Sequence, residues 1–331
     1  MENTRLTKTE QEFYNDKCFP KRWHAFFLAA SMRIIGGVIV SVIVFAIQFL
    51  ISNNIVRFSS EFGVDMFYAV LSQLCMVLPI PLALMFIAKN DIGETLRLKN
   101  DINVIQILLI VFMCISAFIP AQFINSLVIS YGSVFFGPPQ ELSGAPNAQN
   151  IVQLLSEIVI IGFLPAICEE IFYRGYVLRG LERKGRVYAL IVSSVLFAVM
   201  HANFQQMTYA LMLGLLLGFV VLKTNSLYAS IAMHATFNIM SVVLSYGAIN
   251  EFYIAHNLII VIIAIILAPA MIFTSIFLFN HYTNKRNARL NISNASPTFE
   301  SIKEKKHEKV LSITWLILFL ITNMYEAIIA W

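Results

Sequence analysis

Cys168-Glu169-Glu170-Ile171-Phe172-Tyr173-Arg174 sits inside a long apolar run that begins near Ile151. Two neighbouring carboxylates and a guanidinium therefore stand where hydropathy calls for lipid. One charge at mid-membrane costs roughly 2.5–3.5 kcal/mol on insertion scales, so three together need partners and a reason. Each helical residue advances about 100°, which puts Glu170 and Arg174 on one face and turns Glu169 to another. One carboxylate can be held by the arginine in a charge-assisted pair while the other points elsewhere. Pro165, one turn before Glu169, leaves the carbonyl of Ile161 without its helical donor, and Gly162 is close by. A kink or widened turn is expected there, with room for water beside the carboxylates.

The rest of the chain has the same character. Of 331 residues 58% are hydrophobic and 13% charged, and the mean hydropathy is +0.75. A soluble domain carries about 25% charged residues, so an all-α polytopic membrane protein is expected, in a cell membrane and of bacterial plasma-membrane type. The net charge of +4 does not point to nucleic acid, because the basic residues sit in alternate loops. The first apolar run starts near Ala25, is too long for a cleavable signal and lacks a small-residue cleavage site, so it reads as an uncleaved first span. No pair among Cys18, Cys75, Cys114 and Cys168 has metal-ligand spacing, and neither a disulfide framework nor a structural zinc is expected.

Taken in order, residues 1–25 form a polar tail expected in the cytoplasm. A three-helix membrane part follows over 26–131, with spans near 26–51, 64–88 (bent by Pro79 and Pro81) and 102–131. The Gly-, Pro- and Asn-rich stretch 132–150 reads as an external loop. The region that carries the charged stretch spans 151–279, with helices near 151–178, 188–203, 207–222, 227–247 and 256–279. A basic linker over 280–309 leads to an apolar run, 310–331, long enough to span. Eight or nine transmembrane helices result. Twenty of the 23 Lys and Arg fall in the tail, 89–101, 179–187, Lys223 and 280–309; the opposite loops hold only Arg57, and Arg33 and Arg174 lie within spans. The positive-inside bias then places the N-terminus in the cytoplasm. Arg33 is expected to snorkel to the headgroups and Glu326 to face them at the far end. His24, His256, His281 and His307 read as solvated edge or loop residues.

Two later helices offer partners for the charged stretch. Phe197 and His201 lie one turn apart in Phe197-Ala198-Val199-Met200-His201, and His234 and Asn238 one turn apart in His234-Ala235-Thr236-Phe237-Asn238. Counting residues from the expected cytoplasmic ends gives depths on the order of 10–20 Å, so the groups can converge, in the inner half of the membrane and open to the cytoplasm. A carboxylate, two imidazoles and an amide in a watered pocket suit activation of water for carbonyl hydrolysis. Glu169, His201 and His234 would make a hydrolytic zinc set with an open position for water. A metal-free version has one Glu as general base, helped by His201, with His234 and Asn238 binding the oxyanion. The residue types do not choose between them.

The ordered motifs Glu-Glu-Ile-Phe-Tyr-Arg (169–174), Phe197…His201 and His234…Asn238 resemble the E-E-x-x-x-R, F-x-x-x-H and H-x-x-x-N/D motifs of the CPBP (Abi) family. That family comprises CAAX-type intramembrane endopeptidases and bacteriocin-processing and immunity proteins. The resemblance covers about residues 150–250. It implies a helical intramembrane protease with Glu169, Glu170, His201, His234 and Asn238 as its catalytic set, and with Arg174 and Phe197 supporting the site. The implied partners are the lipid bilayer and a small leader-bearing or lipidated peptide, cut near the cytoplasmic face. Two other readings stand beside it: a non-catalytic immunity or peptide-binding protein, and a proton-coupled transporter using the buried Glu, His and Arg as a relay.

Overall fold

In the computed structural model the described residues are 18–58, 60–137, 148–290, 292 and 306–329, and among them every regular element is a helix. The order is α1 (Arg22–Ser52), α2 (Glu61–Ile87), α3 (Val104–Phe136), α4 (Ile151–Lys184), α5 (Arg186–Met200), α6 (Phe204–Thr224), α7 (Leu227–Ser245), α8 (Gly247–Leu290) and α9 (Lys306–Ile329). A single turn, Ile92–Thr95, precedes α3. All but α5 are long and apolar enough to cross a bilayer, and the protein is a multi-pass membrane protein. With 15 residues α5 rises about 22 Å, short of the ~30 Å hydrocarbon core. Phe45, Phe49, Phe86 and Phe273 lie exposed on the outside of the bundle, where lipid would cover them.

Helix ends follow their capping chemistry. Asn103 opens α3 with a reciprocal capping box to Gln106, and Asn150 and Asn203 accept from the first turns of α4 and α6. Asn225, in the left-handed region, closes α6. Two expected boundaries change. α3 continues past residue 131 to Phe136, its serines returning hydroxyl bonds to the preceding turn (Ser133 to Ile129), and Gly137 at φ +84° ends it. α8 runs from Gly247 to Leu290 rather than 256–279. Its polar end stays helical because neighbours hold it: Asn103 donates to Tyr282, Gln106 to Thr283, and Asn287 to the carbonyl of Lys223. The expected tail (1–17), most of the loop (138–147), the linker (293–305) and Trp331 lie outside the described residues.

The basic loops gather at one end of the bundle. Buried Glu182 accepts from Arg97 at 2.5 Å and from Arg179 at 3.2 Å, and Arg97 also donates to Asn225 at 2.9 Å. Burial pushes the Arg97 guanidinium down to about 9, with Glu182 opposing the shift, so it stays charged at neutral pH. The Arg179 guanidinium lies 3.8 Å over the Phe19 ring, and Arg183 donates to the carbonyls of Phe19 and Pro20. Lys21 meets Glu308 at 3.1 Å, so α1 and α9 start at this same end. Segment 18–22, loop 97–100, turn 179–186, turn 223–227, the end of α8 and the start of α9 therefore share one face, as the charge bias requires.

Three edge residues depart from their expected places. Arg33, in a wide turn of α1 (Met32–Gly36), pairs with Glu326 of α9 instead of reaching the headgroups, and Glu326 is its partner rather than an interfacial carboxylate. Paired, neither charge stands alone against lipid. His24 is partly buried, 3.4 Å from the Tyr176 hydroxyl and edge-on to Trp23.

Candidate active site

The geometry starts at Pro165. With no N–H at this position, α4 widens to i→i+5 turns over Ile158–Phe163, then tightens over Leu164–Glu170 and widens again over Ile171–Val177. The freed carbonyl of Ile161 accepts from Asn238 Nδ2 of α7 at 3.3 Å. Gly162 lets the two helices close: a Cβ there would stand 2.9 Å from Ile239 Cγ1. Gly162→Val is expected to force α7 away and cost about 1–3 kcal/mol. A lowered thermal midpoint of the purified protein would show it, and an unchanged midpoint would refute this packing.

The two glutamates divide as their helical separation requires. Glu170 is fully buried and accepts from Arg174 Nη1 at 2.8 Å and from His234 Nδ1 at 2.9 Å. Arg174, equally buried, gives Nη2 to the carbonyl of Gly214 at 3.2 Å and lies 4.2 Å over the Phe197 ring. Because a carboxylate accepts at Nδ1, that nitrogen of His234 carries the hydrogen, and Nε2 turns toward Glu169 Oε2, 3.9 Å away. Glu169 is 7% exposed, and its Oε1 accepts from Gln73 Nε2 of α2 at 3.0 Å.

His201 follows the last residue of α5, where Ala202 takes φ +48° and Asn203 caps α6. Its Nδ1 donates to the Phe197 carbonyl at 2.9 Å, which leaves Nε2 as the free nitrogen. Phe197 is the hub: its ring meets Tyr173, His201 and His234 edge-on at 5.4, 5.1 and 5.7 Å.

Glu169, His201, His234 and Asn238 line one cavity of about 460 Å³. Glu170 and Arg174 lie behind it and shape it. The same cavity brings in residues that the motif reading leaves out: Gln122 and Asn125 of α3, Gln205, Gln206 and Tyr209 of α6, and Ser241 of α7. Asn125 donates to the carbonyl of Gln205 at 2.7 Å and so ties α3 to the start of α6. Uncharged amides scattered over separate helices have no spacing signature, and Gln73 on α2 is remote in sequence from the carboxylate it holds.

Among the described residues no group of three His, Cys, Asp or Glu is placed to hold a metal ion. His234 donates Nδ1–H to Glu170, and its Nε2 lies 3.9 Å from Glu169 Oε2.

Residues 151–240 match the family model described as Type II CAAX prenyl endopeptidase Rce1-like. This segment is similar to the CAAX-protease family. The matched segment runs from the start of α4 through Asn238 and so contains all three motifs. A Bacillus subtilis (strain 168) protein named "Putative membrane peptidase YdiL" is 23% identical over 163 residues, 48% of this chain and 65% of that protein. The chain thus spans just under two thirds of the length of this curated relative. No solved structure matches the chain.

Proposed function

We propose that the protein is an intramembrane endopeptidase of the CAAX-protease type, hydrolysing a peptide bond of a small membrane-associated peptide with Glu169-activated water. The observation that carries this reading is the unequal use of the two glutamates. Glu170 is consumed by Arg174 and His234, whereas Glu169 reaches the cavity beside two imidazoles. Water held between Glu169 and His201 Nε2 loses a proton to Glu169 as its oxygen attacks the carbonyl carbon. His234, oriented by Glu170 at Nδ1, faces the developing oxyanion beside Asn238, which offers it its second amide hydrogen. Glu169 then returns the proton to the leaving amine. Leader-bearing peptides and lipidated C-terminal tails are the substrate classes suggested by the family. Every step uses groups of the chain, so cleavage is expected to survive chelation.

Purified full-length protein should therefore generate new termini from a panel of leader-bearing and C-terminally lipidated peptides, read by mass spectrometry with and without chelator. Folded protein that binds such peptides and leaves all of them intact would sink the hydrolytic reading in favour of a peptide-binding one. Activity lost on chelation and restored by zinc would sink the metal-free mechanism. Gln73→Leu removes a hydrogen bond to a charged group, worth about 1.5–3 kcal/mol, and is expected to lower kcat about tenfold or more. An unchanged kcat would remove Gln73 from the site.

A further inference from the structure

We infer that Tyr209 of α6 is a further catalytic residue, whose phenolic O–H donates to the oxyanion formed at the attacked carbonyl. The inference rests on the peptidase reading and assigns one more group to its site. The donors and acceptors around the cavity motivate it. His234 donates Nδ1–H to Glu170, and His201 donates Nδ1–H to the Phe197 carbonyl, so the Nε2 of each carries a lone pair. Glu169, as a carboxylate, only accepts. These three groups are suited to hold water and take its proton, but in these states none has a hydrogen to give a negative oxygen. Asn238 has spent one amide hydrogen on the Ile161 carbonyl, which leaves one for the substrate. An oxyanion is stabilised by donors already aimed at it, and the site needs a second.

Tyr209 lines the same cavity as Glu169, His201, His234 and Asn238. Its ring stacks on that of Phe237, with centroids 6.2 Å apart and planes 14° from parallel. Phe237 is 2% exposed and packs on Phe118 of α3 at 4.8 Å. In α7 it stands between His234 and Asn238, so the stack ties Tyr209 to the helix that carries both. The Tyr209 hydroxyl has no hydrogen-bond partner among the described residues, and it lies within electrostatic reach of Glu169. Gln122 and Gln206 line the cavity too, but their amides swing on flexible stems, whereas the phenol oxygen is confined to the plane of a packed ring. That confinement is what a transition-state donor requires. The phenol keeps its proton throughout. As Glu169 takes a proton from water, the water oxygen bonds to the carbonyl carbon and the carbonyl π pair moves onto oxygen. The Tyr209 O–H and the Asn238 N–H meet that charge. When the pair returns, the C–N bond breaks and Glu169 delivers its proton to the leaving amine.

Tyr209→Phe tests this, because it keeps the stacked ring and removes only an oxygen that no described residue holds. Purified full-length parent and variant are compared on a peptide that the parent cleaves and on the phosphinate analogue of that peptide, whose tetrahedral P–O⁻ stands in for the oxyanion. The variant should lose about 10²–10³-fold in kcat, the usual cost of removing one oxyanion donor, with KM within a few-fold and an unchanged thermal midpoint. Its affinity for the phosphinate should fall by a comparable factor. A variant as active as the parent overturns the assignment. So does a raised KM with kcat unchanged, or a lowered kcat with phosphinate affinity unchanged. A folded parent that cleaves none of the peptides sinks the peptidase reading itself, and the assignment falls with it.

Discussion

Arg174→Ala protein is expected to lose about 3–5 kcal/mol of stability, because it leaves Glu170 as an uncompensated charge in a fully buried site. Arg174 does three things at once: it pairs with Glu170, caps the Gly214 carbonyl of α6 and lies over Phe197. Its loss therefore loosens α4 from α6 and frees the ring that positions both histidines. Arg174→Lys keeps a charge but cannot reproduce the planar fork, and should recover only part of the loss. The double variant Glu170→Gln/Arg174→Met removes both ions and should be more stable than Arg174→Ala alone. Thermal midpoints of the purified proteins in detergent provide the measurement. A midpoint for Arg174→Ala equal to that of the parent would refute the structural role given to the pair.

Glu169→Gln should have the opposite signature. Glu169 is not part of the Arg174 ion pair, and a neutral amide of the same size can keep the contact with Gln73. The variant is expected to fold with an unchanged midpoint and to bind peptide with KM within a few-fold of the parent. Its kcat should fall by about 10²–10⁴, the usual contribution of a general base. Glu170→Gln, by contrast, should lower the midpoint and the activity together, since it loses the anchors of Arg174 and His234 at once. Steady-state kinetics and melting curves on the two neighbours separate the chemical carboxylate from the structural one. Equal kinetic losses with equal destabilisation would erase the distinction.

The division between these glutamates is legible in the sequence because it depends only on helical angles and one arginine a turn further on. The widened turn before Pro165 is legible for a similarly local reason, a missing N–H. Asn238 is legible as a partner but not in its first duty: the same proline frees the Ile161 carbonyl, and the Asn238 amide takes it. Arg33 and Glu326 escape a sequence reading because they pair between the first and last helices, and each looks like a membrane-edge charge when read alone. The polar end of α8 resembles a linker until Asn103, Gln106 and Lys223 are seen to hold it helical. The amides around the cavity share no spacing, so only the tertiary arrangement of α2, α3 and α6 assembles them.

The most direct test is product analysis after incubating the purified full-length protein with a peptide substrate in ¹⁸O-water. The expected result is a pair of fragments whose new C-terminal carboxylate carries one heavy oxygen, formed by the parent chain and nearly abolished in equally folded Glu169→Gln. Fragments released by Glu169→Gln at the parent rate would contradict the assignment of Glu169 as the residue that activates water.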